Sequence, residues 1–403
     1  MILSILRRLR QLSRRIHVRV ILLAILALLA LAGAMAFGHM IPADLGRVVG
    51  ADAVDAILQT LASSMLAVTI FSLTVMVTAL NNAAAQWTPR SHLVLREDAV
   101  THSVLANFLG AFLFSLVGIV MRAAGLFDDR GVVLLFFMTL GVVTLVMVSL
   151  IRWIVHLEGL GSLTDTAATL EAEAADALRR AARMPCHGGH ALTEPGNQIP
   201  EDAVPIRARR SGYLQQVFEQ AIQTEAEDKG LRVFVTVPVG GHVLEGGVLG
   251  FVAADRGDVG QALGLAARTV LAEALPLSAL RSFEQDPLFG VTVLAEVGVR
   301  ALSPGINDPG TAIDVAFRLS RVLAEARDPP ADPPACNRLW APPVTAVDCL
   351  HAAYDGILRH ATDAPEVRRA VMQALDALAA LEGARDMARA ATAMAADMAA
   401  ADA

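Results

Sequence analysis

Four long runs without an acidic or basic charge fill the first 152 positions. They lie between Arg19 and Asp44, Asp55 and Arg90, Asp98 and Arg122, and Arg130 and Arg152. About 20 apolar residues cross a bilayer core, so each run predicts a membrane-spanning helix. The expected spans are about 19–41, 58–80, 101–121 and 131–152, within an N-terminal domain over 1–154. The first run also fits a cleaved signal peptide, with a basic start and an Ala34-Met35-Ala36 cleavage-like site.

The second run carries a polar pattern of its own. At 100° per residue, Thr60, Ser63, Ser64, Thr74, Thr78, Asn81 and Asn82 fall within an arc of about 100°. Thr69 and Ser72 fall elsewhere. Such a stripe is not expected to face lipid. It fits a helix–helix interface, where small and hydroxyl residues allow close approach. It also fits a face lining a watery path in an oligomer, with Phe71 as a constriction. His39, His102 and Asn107 lie near span ends and are the candidates for a proton relay.

After Arg152 the pattern changes. Residues 155–203 read as a helical stalk and loop, 204–256 as a small β domain, and 257–327 as a helical domain. A proline-rich link over 328–343 and Ala-rich helices over 344–403 follow. In the helical domain, Asp286-Pro287 and Asp308-Pro309 each mark a helix start. The Asp side chain caps free N–H groups, and proline suits the first helical position. Ser303-Pro304-Gly305-Ile306-Asn307 is a tight turn between the two helices by composition. Glu296–Arg300 and Asp314–Arg318 are spaced to pair along their helices. Arg300, Ser303, Asn307 and Asp308 are the candidates for a polar pocket or a subunit contact. The predicted class is mixed: a four-helix transmembrane bundle, then an α+β region with a β-sandwich-like unit and a helical bundle.

Composition agrees with a membrane protein. Of 403 residues, 55% are hydrophobic and 18% charged, below the roughly 25% usual for soluble domains. The basic start (Arg7, Arg8, Arg10, Arg14, Arg15, Arg19) predicts a cytoplasmic N-terminus. Four spans then return the chain to the cytoplasm of a bacterial inner-membrane protein. Three cysteines without framework spacing fit a reducing compartment. A net charge of −7 argues against nucleic acid.

Chemistry is sparse. No phosphate loop, His-Glu-x-x-His or Gly-x-Ser-x-Gly occurs. Glu284, Asp286 and Asp308, with Asn307, could cluster for acid–base work, but helix capping explains the two aspartates more simply. Cys186-His187-Gly188-Gly189-His190 offers a thiol and two imidazoles, with no fourth zinc ligand evident nearby. No catalytic residue, metal or cofactor is expected. The text VPVGGHVLEGGVLGFV resembles the half-repeat of lipoyl- and biotinyl-carrier sandwiches. It holds no lysine to modify, since Lys229 is the chain's single lysine, so a spacer or docking surface is the expectation.

The motif DPLFG…RALSPGINDPGTA, with Ser64-Met65-Leu66 and Trp87-Thr88-Pro89-Arg90 in the membrane half, resembles the signature of the "domain of unknown function 2254" family of bacterial membrane proteins. The resemblance runs from about Leu61 to Leu323 and implies architecture without an activity. The expected function is an oligomeric channel- or transport-like protein with a cytosolic sensing or assembly domain. The other expectation is a membrane-anchored scaffold or signalling partner. The expected partners are the lipid bilayer and further copies of the chain.

Overall fold

Apolar residues from Val54 into the second run repeat at i, i+4, i+7 and i+11, which puts Val54, Leu58, Leu61 and Met65 on one helix face. In the computed structural model that face is buried. The structure describes residues 51–86, 90, 99–127, 129–159, 163–255, 270–328 and 333–402, with Ile25, Leu29, Ala32 and Gly33 before them. The chain divides into two units, Met1–Thr166 and Ala167–Ala403.

The first unit holds α1 (Ala51–Gln86), α2 (Ala99–Ala123) and α3 (Asp129–Gly159). Among the described residues, three helices are long and apolar enough to cross a membrane: Asp52–Ala79, Val100–Ala123 and Gly131–Leu157. The expected span over 19–41 lies outside the described residues, apart from the four named, which are helical. Each observed stretch is longer than the span expected for it, because the apolar helices continue past the expected ends. Asp55 and Arg122 show how: both are helical, and Arg122 donates two hydrogen bonds of 3.0 Å to the Asp55 carboxylate. A paired charge is tolerated at a span end. The core joins Leu61 and Met65 to Val104, Phe108, Val146 and Trp153, and Val54 and Leu58 to Phe114, Val132 and Leu135. Outward positions are also apolar, including Ile70, Phe71, Phe137, Ile151 and Val155. A helix hydrophobic all round is what a bilayer solvates.

The helix α4 (Leu163–Arg183) leads into the second unit, burying Ala167, Leu170, Ala174, Ala177 and Leu178. The strands there are β1 (His190–Ala191), β2 (Val204–Arg207), β3 (Gly212–Leu214), β4 (Leu231–Val235), β5 (His242–Val243), β6 (Val248–Ala254), β7 (Leu277–Ser278) and β8 (Leu339–Ala341). They form a five-stranded sheet, β1-β8-β4-β6-β2, and a three-stranded sheet, β5-β3-β7. One core joins both sheets: Ile206, Val233, Val235, Leu249 and Val252 pack with Leu214, Val243 and Leu277. The sheets therefore reach beyond 204–256. Strands from the expected loop (β1), the expected helical region (β7) and the proline-rich link (β8) complete them. The 328–343 segment was expected as an extended link, and its Leu339–Ala341 is instead an inner strand, parallel to β1 and β4. Trp340 anchors it, stacked between His190 and Phe234 with ring centroids 4.6 and 4.9 Å away.

α5 (Glu219–Lys229) precedes β4 and ends at Gly230, whose φ of 61° supplies the left-handed cap. The helical layer comprises α6 (Pro287–Ala301), α7 (Pro309–Leu323), α8 (Ala346–His360), α9 (Pro365–Ala379) and α10 (Arg385–Asp402). Thr345 and Asp348 form a capping box at the start of α8. Small residues set the crossings. A Cβ added at Gly290 of α6 would lie 2.7 Å from Ala174 Cβ and 2.8 Å from Ala174 Cα on α4. One added at Gly298 would lie 3.0 Å from Ile357 Cδ1 of α8. The architecture is mixed α+β: among the described residues, three candidate membrane helices, then an α/β region.

Candidate functional site

Both Asp-Pro steps cap helices, but their surroundings differ. Asp286 Oδ1 accepts from Phe289 N at 3.1 Å, and Asp308 Oδ1 from Thr311 N at 3.0 Å. Asp286 is 1% exposed. Arg281 grips it with two bonds, Nε to Oδ2 at 2.7 Å and Nη2 to Oδ1 at 2.8 Å. The guanidinium carbon also lies 4.9 Å from the centre of the Phe289 ring. Gly240 closes the site from the β unit. Its φ is +84°, and a Cβ there would lie 2.0 Å from Asp286 Oδ2. Thus the glycine turn of VPVGG and the aspartate of DPLFG meet at one buried ion pair. Burial raises the Asp286 carboxyl above its usual range, against the pull of Arg281 and the backbone N–H groups.

Neighbours of this pair stitch the same seam. The Gln285 side chain accepts from Val217 N at 2.8 Å and donates to Val217 O at 3.3 Å. Gln216 donates to the Glu284 carboxylate. Glu284, Asp286 and Asp308 each have their own partner, and capping accounts for both aspartates.

The turn between α6 and α7 is closed by short-range bonds. Ser303 Oγ donates to Arg300 O at 2.6 Å, Asn307 N to Ser303 O at 2.9 Å, and Asp308 N to Ala301 O at 2.8 Å. Asn307 adopts φ 48°, a left-handed conformation that asparagine tolerates. Pro304 to Asp308 are exposed. Thr311 holds the Asp308 carboxyl below its usual range through its hydroxyl and N–H. Residues further along α7 face α4: Arg318 bridges Asp314 at 2.6 Å and Glu171 at 2.8 Å, and Arg321 reaches Glu171 at 2.6 Å.

The α1 stripe is laid out face by face. Thr60, Ser63, Thr74, Thr78 and Asn81 are exposed and Ser64 is half-buried, while the Asn82 side chain lies outside the described residues. Ser72, off the stripe, is buried. The hydroxyls of Thr60, Ser63, Ser64 and Thr74 each donate to the carbonyl four residues back, at 2.6–3.0 Å. These bonds satisfy each donor within the helix, so the stripe is less costly against lipid than its composition suggests. Between α2 and α3, Asn107 Nδ2 donates to Ser149 Oγ at 2.9 Å, and Thr101 Oγ1 lies 3.2 Å from His156 Nε2. Asn107 was legible as a polar residue in an apolar run, and its partner was not. His39 lies outside the described residues, and His102 is half-buried.

The Cys186–His190 loop packs against the β core. Cys186 and His187 both take positive φ, 51° and 58°, and Cys336 N donates to Gly188 O at 2.8 Å. Among the described residues, no group of three metal-ligating side chains forms. Burial lowers the His187 imidazole from 6.5 to about 4. Between these values the unfolded chain binds a proton that the folded chain refuses. Stability is therefore full above pH 6.5 and falls as the pH drops toward 4, by roughly 2–3 kcal/mol for this group. His187→Asn, which tolerates the same φ, should flatten that part of the curve in urea unfolding at pH 4.5 and 7.5. An unchanged slope would assign the acid sensitivity elsewhere.

A family model described as "Predicted membrane protein (DUF2254)" matches residues 13–377. Uncharacterized proteins of Mycobacterium bovis and of two Mycobacterium tuberculosis strains are each 29% identical over 318 residues. The matches cover 77% of this chain and 60% of each relative, so the chain spans less than two thirds of their length. No solved structure is significantly similar.

Proposed function

Because the chain belongs to the DUF2254 family of predicted membrane proteins, we propose that it works in the membrane as an oligomer, with the hydroxyl-rich face of α1 lining a path for water or small uncharged solutes. The observation that carries this reading is the position of the stripe. Thr60, Ser63, Thr74, Thr78 and Asn81 are exposed in the single chain, on a helix whose other exposed positions include Leu66, Ile70, Leu73 and Val77. A hydroxyl that donates within its own helix keeps lone pairs free to accept from water. Copies packed around a common axis would put these lone pairs on a wetted surface. The second unit, on the cytoplasmic side by the arginine pattern, then serves assembly or sensing through the Asp-Pro helix pair, with the α6–α7 turn (Arg300, Ser303, Asn307, Asp308) as a subunit contact.

The second reading is a membrane-anchored scaffold. The same intrahelical bonds favour it, since self-satisfied hydroxyls pack readily against a neighbouring helix. Cysteines placed at Ser64, Thr74 and Thr78 separate the two in reconstituted vesicles. The path predicts labelling by water-soluble reagents faster than at Ile70 or Val77, together with solute flux. Labelling at lipid-facing rates, with no flux, would leave the scaffold.

A further inference from the structure

Among the described residues, a set of buried polar groups gathers toward one end of the membrane helices' core. α2 and α3 run antiparallel there, tied by the Thr101–His156 and Asn107–Ser149 contacts. Trp153 lies four residues after Ser149 and three before His156, on the same face of α3. It is 2% exposed, and its indole Nε1 has no hydrogen-bond partner among the described residues.

α1 adds a second such group. Its core positions Val54, Leu58, Leu61 and Met65 lead, one heptad on, to Ser72. Ser72 is fully buried, and its hydroxyl finds no partner among the described residues. Thr69 and Thr74, on either side, donate to their own helix. The level of Ser72 follows from the Asp55–Arg122 pair together with the core clusters, in which Val54 and Leu58 meet Phe114 while Leu61 and Met65 meet Val104 and Phe108, so that α1 runs antiparallel to α2. Ser72 and Leu105 each lie seventeen residues from that pair along their helices. Ser72 is thus level with the stretch between Thr101 and Asn107.

Leaving a buried donor or acceptor unmet costs about 1–3 kcal/mol, and two such groups share one level of the core, beside the apolar cluster of Leu61, Met65, Val104, Phe108, Ala111 and Val146. They are chemically complementary. An indole N–H only donates, a serine hydroxyl donates and accepts, and a buried water makes about three bonds. We infer that this end of the core is a hydration site, in which water links Ser72 and Trp153 to the Thr101–His156 and Asn107–Ser149 pairs. None of these groups carries a fixed charge, so a neutral hydrogen-bonding ligand fits and an ion does not. The water gives the His156 imidazole a proton-exchanging neighbour inside the bundle.

The test is NMR of the full chain in lipid nanodiscs with 15N-indole tryptophan. The Trp153 signal is assigned by its loss in Trp153→Phe, or by elimination with Trp87→Phe and Trp340→Phe. The expected result is a hydrogen-bonded indole shift and exchange with D2O at least about tenfold faster than the backbone amides of Leu105 and Phe108, which open only with the helix. Ser72→Ala should move that signal and slow its exchange. An indole proton as protected as those amides, or one indifferent to Ser72→Ala, would overturn the assignment. Neither readout depends on solute flux.

Discussion

Replacing Arg281 by Met should destabilise the second unit by about 3–5 kcal/mol, the cost of stranding a buried charge. Asp286 is the partner left behind, 1% exposed and pressed by Gly240. The reverse change, Asp286→Asn, should cost far less. Asparagine caps as well as aspartate, and the Arg281 side chain is 25% exposed, so water takes up its released N–H groups. Adding Asp286→Asn to Arg281→Met should therefore restore most of the loss. The pH dependence has a definite sign. Burial already raises the Asp286 carboxyl above 3.8, and losing Arg281 removes a lowering influence. Between 3.8 and the folded value the folded chain binds more protons than the unfolded chain. Stability then falls as pH rises through that window, so the Arg281→Met deficit should be largest at neutral pH and shrink toward pH 4. Urea unfolding of the single and double variants at both pH values checks this. A deficit unchanged by pH, or not relieved by Asp286→Asn, would show that Arg281 acts by packing instead.

The second large effect is expected at Gly290. A side chain there meets the Ala174 backbone at 2.8 Å, so α6 and α4 must separate. Gly290→Val should cost at least about 1–3 kcal/mol, the usual range for overpacking. Gly290→Ala should cost less and be partly relieved by Ala174→Gly, which removes the clash with the Ala174 side chain and leaves the one with its backbone. Thermal unfolding of the three variants reads this directly. Equal melting temperatures for Gly290→Val and the wild type would mean that the crossing yields without cost.

What could be read in advance depended on how local the physics was. The spans over α1, α2 and α3 were visible because bilayer length and apolar composition are properties of a contiguous segment. Their ends were not, because Asp55 is admitted into α1 by Arg122, 67 residues away. Asp286 and Asp308 were legible as caps, since capping reaches only to residue i+3. Arg281 was missed as the partner of Asp286. Nothing in the spacing shows that Gly240, brought in from the β unit, would bury the pair and make the arginine necessary. The α1 stripe was legible as a pattern. Its energetics were not, since they turn on hydroxyls folding back onto their own carbonyls. Strand β8 was hidden most completely: three residues in a proline-rich segment, whose partners Val233 and His190 lie more than 100 positions earlier.

That strand also constrains how the molecule is made. β8 sits between β1 and β4, so the five-stranded sheet stays open until Ala341 has left the ribosome. By then α6 and α7, written between β7 and β8, are already complete. For that interval β4 presents a bare apolar edge, the kind that pairs with the wrong neighbour. A nascent chain halted in the proline-rich segment would carry every strand of the sheet but the one that joins its halves.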